Sequence, residues 1–180
     1  SAAGRLSFTG RVHQRVEFTG LPFGTHPGCN HHPWGLNLYG SGVVRLPGSG
    51  VLVHTAIVCW KQSTDPKYSV VAFRSAPGND FVMSYAGVIA DVSELPPSAI
   101  LGPSEHDIIL LANKSLLVVM RYDGNGQCGS VVQHDPAPFT STGYTYFYSS
   151  VSHDGGVHWT QPVPMRDQHG HGIGCVRPRL

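Results

Sequence analysis

Charge is scarce in this 180-residue chain: Asp, Glu, Lys and Arg make up 13% of it, and 12 basic against 11 acidic residues leave a formal net charge of +1. A surface so evenly charged offers no footprint for a polyanion, and no run of like charges forms a tail, so no nucleic-acid partner is expected. Long apolar runs are also lacking. The longest, 51–60 and 108–120, are strand-length stretches interrupted by polar residues, and none reads as a membrane span. No basic stretch followed by an apolar core opens the chain, so a signal peptide is either absent or already removed. Phosphate-binding and dinucleotide-binding glycine loops are missing, and Gly124-Asn125-Gly126 reads as a turn. The four cysteines, Cys29, Cys59, Cys128 and Cys175, form no C-x-x-C pair of the kind used for zinc or redox work. No cofactor is expected.

Turn residues are abundant, with 22 Gly and 14 Pro. That composition suits many short strands and points to an all-β fold. Residues 1–38 begin strand-like and pass into a Gly/Pro/His-rich loop to which the sequence assigns no role. From 39 to 180 strand-length apolar runs alternate with Gly, Pro, Asn and Asp clusters, and predict strands at 42–46, 51–60, 68–74, 85–91, 108–112, 116–122, 144–150 and 157–160. Leu46-Pro47-Gly48-Ser49-Gly50-Val51 and Leu111-Ala112-Asn113-Lys114-Ser115-Leu116 read as hairpin turns, so their flanking strands pair antiparallel.

A unit of hairpin, loop, strand and turn ending in an aromatic occurs twice. The second copy ends Ser152-His153-Asp154-Gly155-Gly156-Val157-His158-Trp159. In Ser152-x-Asp154-x-Gly156-x-x-Trp159 the hydroxyl and carboxylate can satisfy backbone N–H groups, the glycine tolerates positive φ, and the tryptophan can wedge between sheets. The first copy is degenerate: Ser75, Gly78 and Phe81 recur in a turn one residue shorter, and Pro77 stands at the Asp position. Repetition at this scale is typical of β-propeller blades.

With this motif the chain, over about 39–180, resembles the sialidase family of Asp-box (BNR-repeat) β-propellers. Gly102-Pro103-Ser104-Glu105-His106-Asp107-Ile108 followed by Leu116-Leu117-Val118-Val119-Met120-Arg121 looks like the family pattern in which a Glu opens one strand and an Arg closes the next. The resemblance implies two to three blades of a six-bladed propeller, with the Asp-box on the rim away from the active face. It also implies a glycoside hydrolase acting on terminal sialic-acid-like sugars, with a non-catalytic extracellular glycan-binding, adhesion or structural module as the alternative. Glu105 matches the Glu that assists a Tyr nucleophile, and Arg121 matches the second arginine of a triad that holds the substrate carboxylate. Guanidinium groups suit that task because they are planar and permanently charged. Both residues are expected to face one central opening.

The departures are specific. Gly40 stands where the family has its first triad arginine, and Arg45 reads as a hairpin residue. Asp65, in Ser63-Thr64-Asp65-Pro66, is the acid/base candidate, against its reading as an Asp-Pro turn former. Arg177 is a further substrate-binding candidate, although the family's third arginine comes later in its chain. Tyr144, Tyr146 and Tyr148 sit on the strand before the Asp-box and are expected to pack. The nucleophilic Tyr is expected beyond Leu180, in a missing remainder or another chain that completes the ring.

Cys29-Asn30-His31-His32 and His169-Gly170-His171 lack a recognisable ligand spacing, so no metal site is expected. No family signature surrounds a Ser or Cys that could act as a hydrolase nucleophile. Asn113-Lys114-Ser115 is a glycosylation sequon at a hairpin tip, and the even cysteine count allows two disulfides in any of three pairings. Together they favour a secreted or extracellular setting with sialylated or related glycans as partners.

Overall fold

The computed structural model describes residues 15–22, 36–38, 42–60, 68–91, 102–123, 147–173, 178 and 180. Among these residues every regular element is a strand, and no helix is long and apolar enough to cross a membrane. The all-β expectation holds at this level, and the strands form two sheets.

The first sheet holds β1 (Glu17–Thr19), β2 (Leu36–Asn37), β3 (Val43–Arg45), β4 (Leu52–Val58), β5 (Ser69–Ala76) and β6 (Asn79–Ala90); the second holds β7 (Gly102–Leu110), β8 (Leu116–Asp123), β9 (Phe147–Ser152) and β10 (Val163–Pro164). Each contains the same four-strand antiparallel meander, β3-β4-β5-β6 in one and β7-β8-β9-β10 in the other. The repeat inferred from the sequence is therefore present at the level of topology. β1 extends the first sheet by pairing parallel with β6, and β2 pairs with the far end of β4.

The central strands β4 and β5 are rich in β-branched and aromatic residues and bury both faces. One face, with Val53, Val70 and Ala72, packs on Ile108, Leu116, Val118 and Met120 of the second sheet. The other face, with Val58, Val71, Phe73 and Met83, is covered by Phe18, Leu21 and Leu36. Each such side chain taken out of water contributes about 1.5–3 kcal/mol. The segment before residue 39, given no role by the sequence, thus closes one face of the first sheet through its described residues.

Several predicted boundaries shift. Residues 157–160 are not a strand, because the Asp154 carboxylate takes the N–H groups of Val157 and His158 and so removes them from any ladder. The strand that pairs with β9 in their place is β10. β7 begins at Gly102 rather than at 108, its charged stretch carried across a bulge between Pro103 and His106. β6 begins at Asn79 rather than at 85, continuing directly from the Pro77-Gly78 turn. Residues 144–146 lie outside the described part.

Candidate functional site

Both meanders turn twice at the same end. In the second sheet, the Asn113 hairpin and the Asp-box meet there, with Ser115 Oγ 2.9 Å from His153 Nδ1. The box is a closed set of hydrogen bonds. Ser152 Oγ accepts from Gly156 N at 2.8 Å and donates to Asp154 Oδ1 at 2.9 Å. Asp154 Oδ1 accepts from Val157 N at 3.1 Å and His158 N at 2.9 Å, and Asp154 Oδ2 lies 2.6 Å from His158 Nδ1. Partial burial acts to raise the Asp154 pKa, but the bonds from His158, Ser152 and Val157 outweigh it and hold the carboxyl far below the usual carboxylate range.

The box also locks the sheets together. Gly156, at φ +89°, approaches the first sheet so closely that a Cβ would lie 3.0 Å from Val53 Cγ1, and a Cβ at Gly155 would lie 2.9 Å from Leu46 Cδ1. Trp159 donates its indole N–H to Gly156 O at 3.3 Å and packs against the core shared by both sheets.

The degenerate copy sits at the equivalent corner between β5 and β6 but lacks this chemistry. With Pro77 in place of the carboxylate, Ser75 Oγ instead accepts from Leu52 N of the neighbouring strand at 2.9 Å, and Phe81 is exposed rather than wedged. The corner is held by an ion pair, Arg45 to Asp80 at 2.6 Å, with Arg45 also donating to Gly50 O. Arg45 is thus a hairpin residue, as its place before the Pro47-Gly48 turn suggested.

Glu105 and Arg121 lie toward the opposite end of the second sheet. The bulge sets Ser104 and Glu105 opposite Arg121, and Arg121 Nη1 donates to Glu105 Oε2 at 2.6 Å, with side-chain exposures of 25% and 18%. Strand alternation turns both side chains away from the seam, onto the face that carries Asp107 and Val119. The two residues are brought together as a direct, half-buried ion pair. Asp107 on the same face accepts from the Leu180 backbone N–H at 3.0 Å. Asp65, Arg177 and Gly40 lie outside the described residues, as do Cys29, Cys128, Cys175, Tyr144, Tyr146, His31 and His32. Tyr148 packs as expected, buried and stacked on Tyr122 with ring centroids 4.0 Å apart. Asn113 is exposed at the β7–β8 tip, its Oδ1 accepting from Ser115 N. Cys59 is buried and disulfide-bonded.

His106 carries no signal in the sequence; it is fully buried on the side of β7 that faces the first sheet, and its Nδ1 donates to Ser104 O at 2.8 Å. Its place follows from alternation with Glu105, and only the register of the strand exposes it. The exposed turn at Asp167, His169 and His171 is tied up internally, Asp167 Oδ1 accepting from both histidine N–H groups at 2.8 Å. Among the described residues, no group of three or more His, Cys, Asp or Glu side chains is placed to hold a metal ion.

No family model matches the chain, and no curated protein matches it. Among solved structures it is similar to a protein of unknown function from Dyadobacter fermentans, with 14% identity and a TM-score of 0.47, over 77% of this chain and 41% of that one. It is likewise similar to Zg3597, a family 117 glycoside hydrolase of the marine bacterium Zobellia galactanivorans, with 13% identity and a TM-score of 0.47, over 82% of this chain and 41% of that one. The chain thus spans about two fifths of the length of these structures. Likeness at this level carries neither activity nor substrate to this chain.

Proposed function

We infer that this chain forms consecutive blades of a sialidase-like, six-bladed Asp-box β-propeller and belongs to a glycoside hydrolase acting on terminal sialic-acid-like sugars. The observation that carries the reading is the half-buried pair of Glu105 and Arg121 at the end of the sheet remote from the Asp-box. Supporting it are the repeated meander and an Asp-box at the corner between the third and fourth strands of the second meander.

In this reading Arg121 supplies one guanidinium to the sugar carboxylate, and Glu105 holds that guanidinium in place until substrate arrives. Glu105 then assists a Tyr nucleophile, which avoids setting an anionic nucleophile against an anionic sugar. The further arginines and the tyrosine come from the remainder of the propeller, supplied by the same polypeptide or by another chain. The disulfide at Cys59 and the exposed Asn113 sequon fit a secreted or cell-surface protein carrying a glycan on the rim. Arg45, committed to Asp80, favours the second reading, a propeller that binds glycans without cleaving them.

The test uses the intact parent protein with a fluorogenic sialoside for turnover and sialyllactose for binding. Arg121→Ala is expected to weaken binding of the carboxylate sugar by about 1.5–3 kcal/mol, the scale of a hydrogen bond to a charged group. Glu105→Gln is expected to lower turnover more than binding. Binding without turnover in the wild type selects the non-catalytic reading, and binding indifferent to Arg121 removes both.

A further inference from the structure

A groove of about 540 Å³ opens at the outer edge of the seam, between β6 and the chain that follows the Asp-box. It falls within the size range of small-ligand sites. Its wall is shaped by two bulges in β6. Ile89 is the extra residue between the pairs Val70–Ala90 and Val71–Val88, and Ala86 is the extra residue between Ala72–Gly87 and Phe73–Tyr85. Bulges bend a strand and re-aim its side chains. Between them, Gly87 lets β6 touch the post-box chain, since a Cβ there would lie 3.1 Å from Val157 O. Past that contact the two segments part, and the groove is the space between them.

Its lining is amphipathic. Val88, Trp159 and Pro162 give apolar surface with Ile89 buried behind them, and Asp91, Thr160 and Gln161 supply the polar part. The Trp159 indole N–H is already given to Gly156 O, so a ligand in the groove meets the ring of this lining residue rather than its donor. Among the described lining residues Asp91 is the one charged group, which opposes an anionic ligand. An aromatic face with a carboxylate and an amide beside it matches a pyranose ring. The electropositive C–H side of the sugar lies on the negative π face, and its hydroxyls reach oxygen acceptors and an amide.

We propose that this groove is a binding site for an uncharged pyranose residue, stacked on Trp159 with its hydroxyls bonded to Asp91 and Gln161. The site is separate from the Glu105–Arg121 pair and does not depend on the function inferred for that pair. The test follows the Trp159 indole N–H resonance of the isotope-labelled intact protein during titration with methyl β-galactopyranoside and N-acetyllactosamine. The neutral sugars are expected to shift the resonance saturably, with affinity weakened about tenfold by Asp91→Ala and by Gln161→Ala. Gln161 is exposed, so its variant keeps the fold, which the unchanged amide spectrum would verify. Arg121→Ala is expected to leave the response of the Trp159 signal to the neutral sugars unaltered. The proposal is overturned if no neutral sugar moves the Trp159 signal, if both groove variants titrate like the wild type, or if Arg121→Ala abolishes the response. The last outcome would place the sugar at the ion pair.

Discussion

Asp154 works through several bonds at once, and its removal is costly because the groups it serves have no replacement in the turn. Asp154→Ala deprives the N–H groups of Val157 and His158 of their acceptor, although solvent reaches both and softens the loss. Ser152→Ala strands the Gly156 N–H, which is buried, so it carries the fuller penalty of about 1–3 kcal/mol. Urea denaturation of both variants should rank Ser152→Ala as at least equal to Asp154→Ala. Asp154→Asn, which keeps an Oδ1 acceptor, should lie nearer the wild type. The exposed pair of His158 and Asp154 adds little to this ranking, because water and salt screen it. A Ser152→Ala midpoint indistinguishable from wild type would show that the turn is held by packing instead.

At the scale of elements, glycines separate the two corners. Gly156 needs its positive φ and also has no room for a side chain, whereas Gly78, at φ +75°, has nothing within 4 Å of where a Cβ would stand. Gly78→Ala should therefore cost only the conformational strain, about 1–2 kcal/mol. Gly156→Ala adds overpacking against Val53 and should exceed it by about 1–3 kcal/mol, read from the same denaturation curves. Equal losses would mean that the Asp-box does not clamp the sheets. The meanders were legible from sequence because hairpin turns and alternating apolar runs are local signals. The box was legible because its spacing is a hydrogen-bonding pattern. The bulges at Ala86, Ile89 and Glu105 were not legible, since a bulge is set by the partner strand and leaves no mark in its own residues. For the same reason the pairing of Glu105 with Arg121 was anticipated as two residues facing one opening rather than as a direct contact. The role of Phe18 and Leu36 was hidden because they are scattered apolar residues whose partners lie in β4 to β6.

At the scale of the molecule, the seam between the sheets contains a titratable ring, and that couples its integrity to pH. His106 of β7 is 1% exposed and packs near Thr55 of β4, whose carbonyl favours the proton without forming an aligned hydrogen bond to Nε2. Burial pushes the His106 pKa down to about 4, with His54 adding to the shift and the Ser104 and Thr55 carbonyls and Asp107 opposing it. The ring is therefore neutral in the folded state down to that pH, while in the unfolded chain it takes up a proton near its ordinary value of 6.5. Below about 6.5 the unfolded state binds more protons, so stability falls with falling pH until about 4, where both states are protonated and the slope from this group ends. The whole window amounts to something on the order of 3 kcal/mol. His54, also held down chiefly by burial, acts in the same direction. The carboxylates held low by hydrogen bonds, Asp154 and Asp167, lose their contribution only as pH falls below the ordinary carboxylate value, so their effect lies beneath this window. Urea midpoints measured between about pH 8 and pH 4.5 should decline in the wild type and decline much less in His106→Gln, whose side chain does not titrate. Because the proton enters at the junction of β4 and β7, amide exchange at about pH 5 should rise in β7 and β8 before it rises in β5, whose faces are both covered within the first sheet and at the seam. A wild type whose midpoint is flat over this range, or a His106→Gln variant with an unchanged slope, would show that the seam is not the pH-sensitive joint of the molecule.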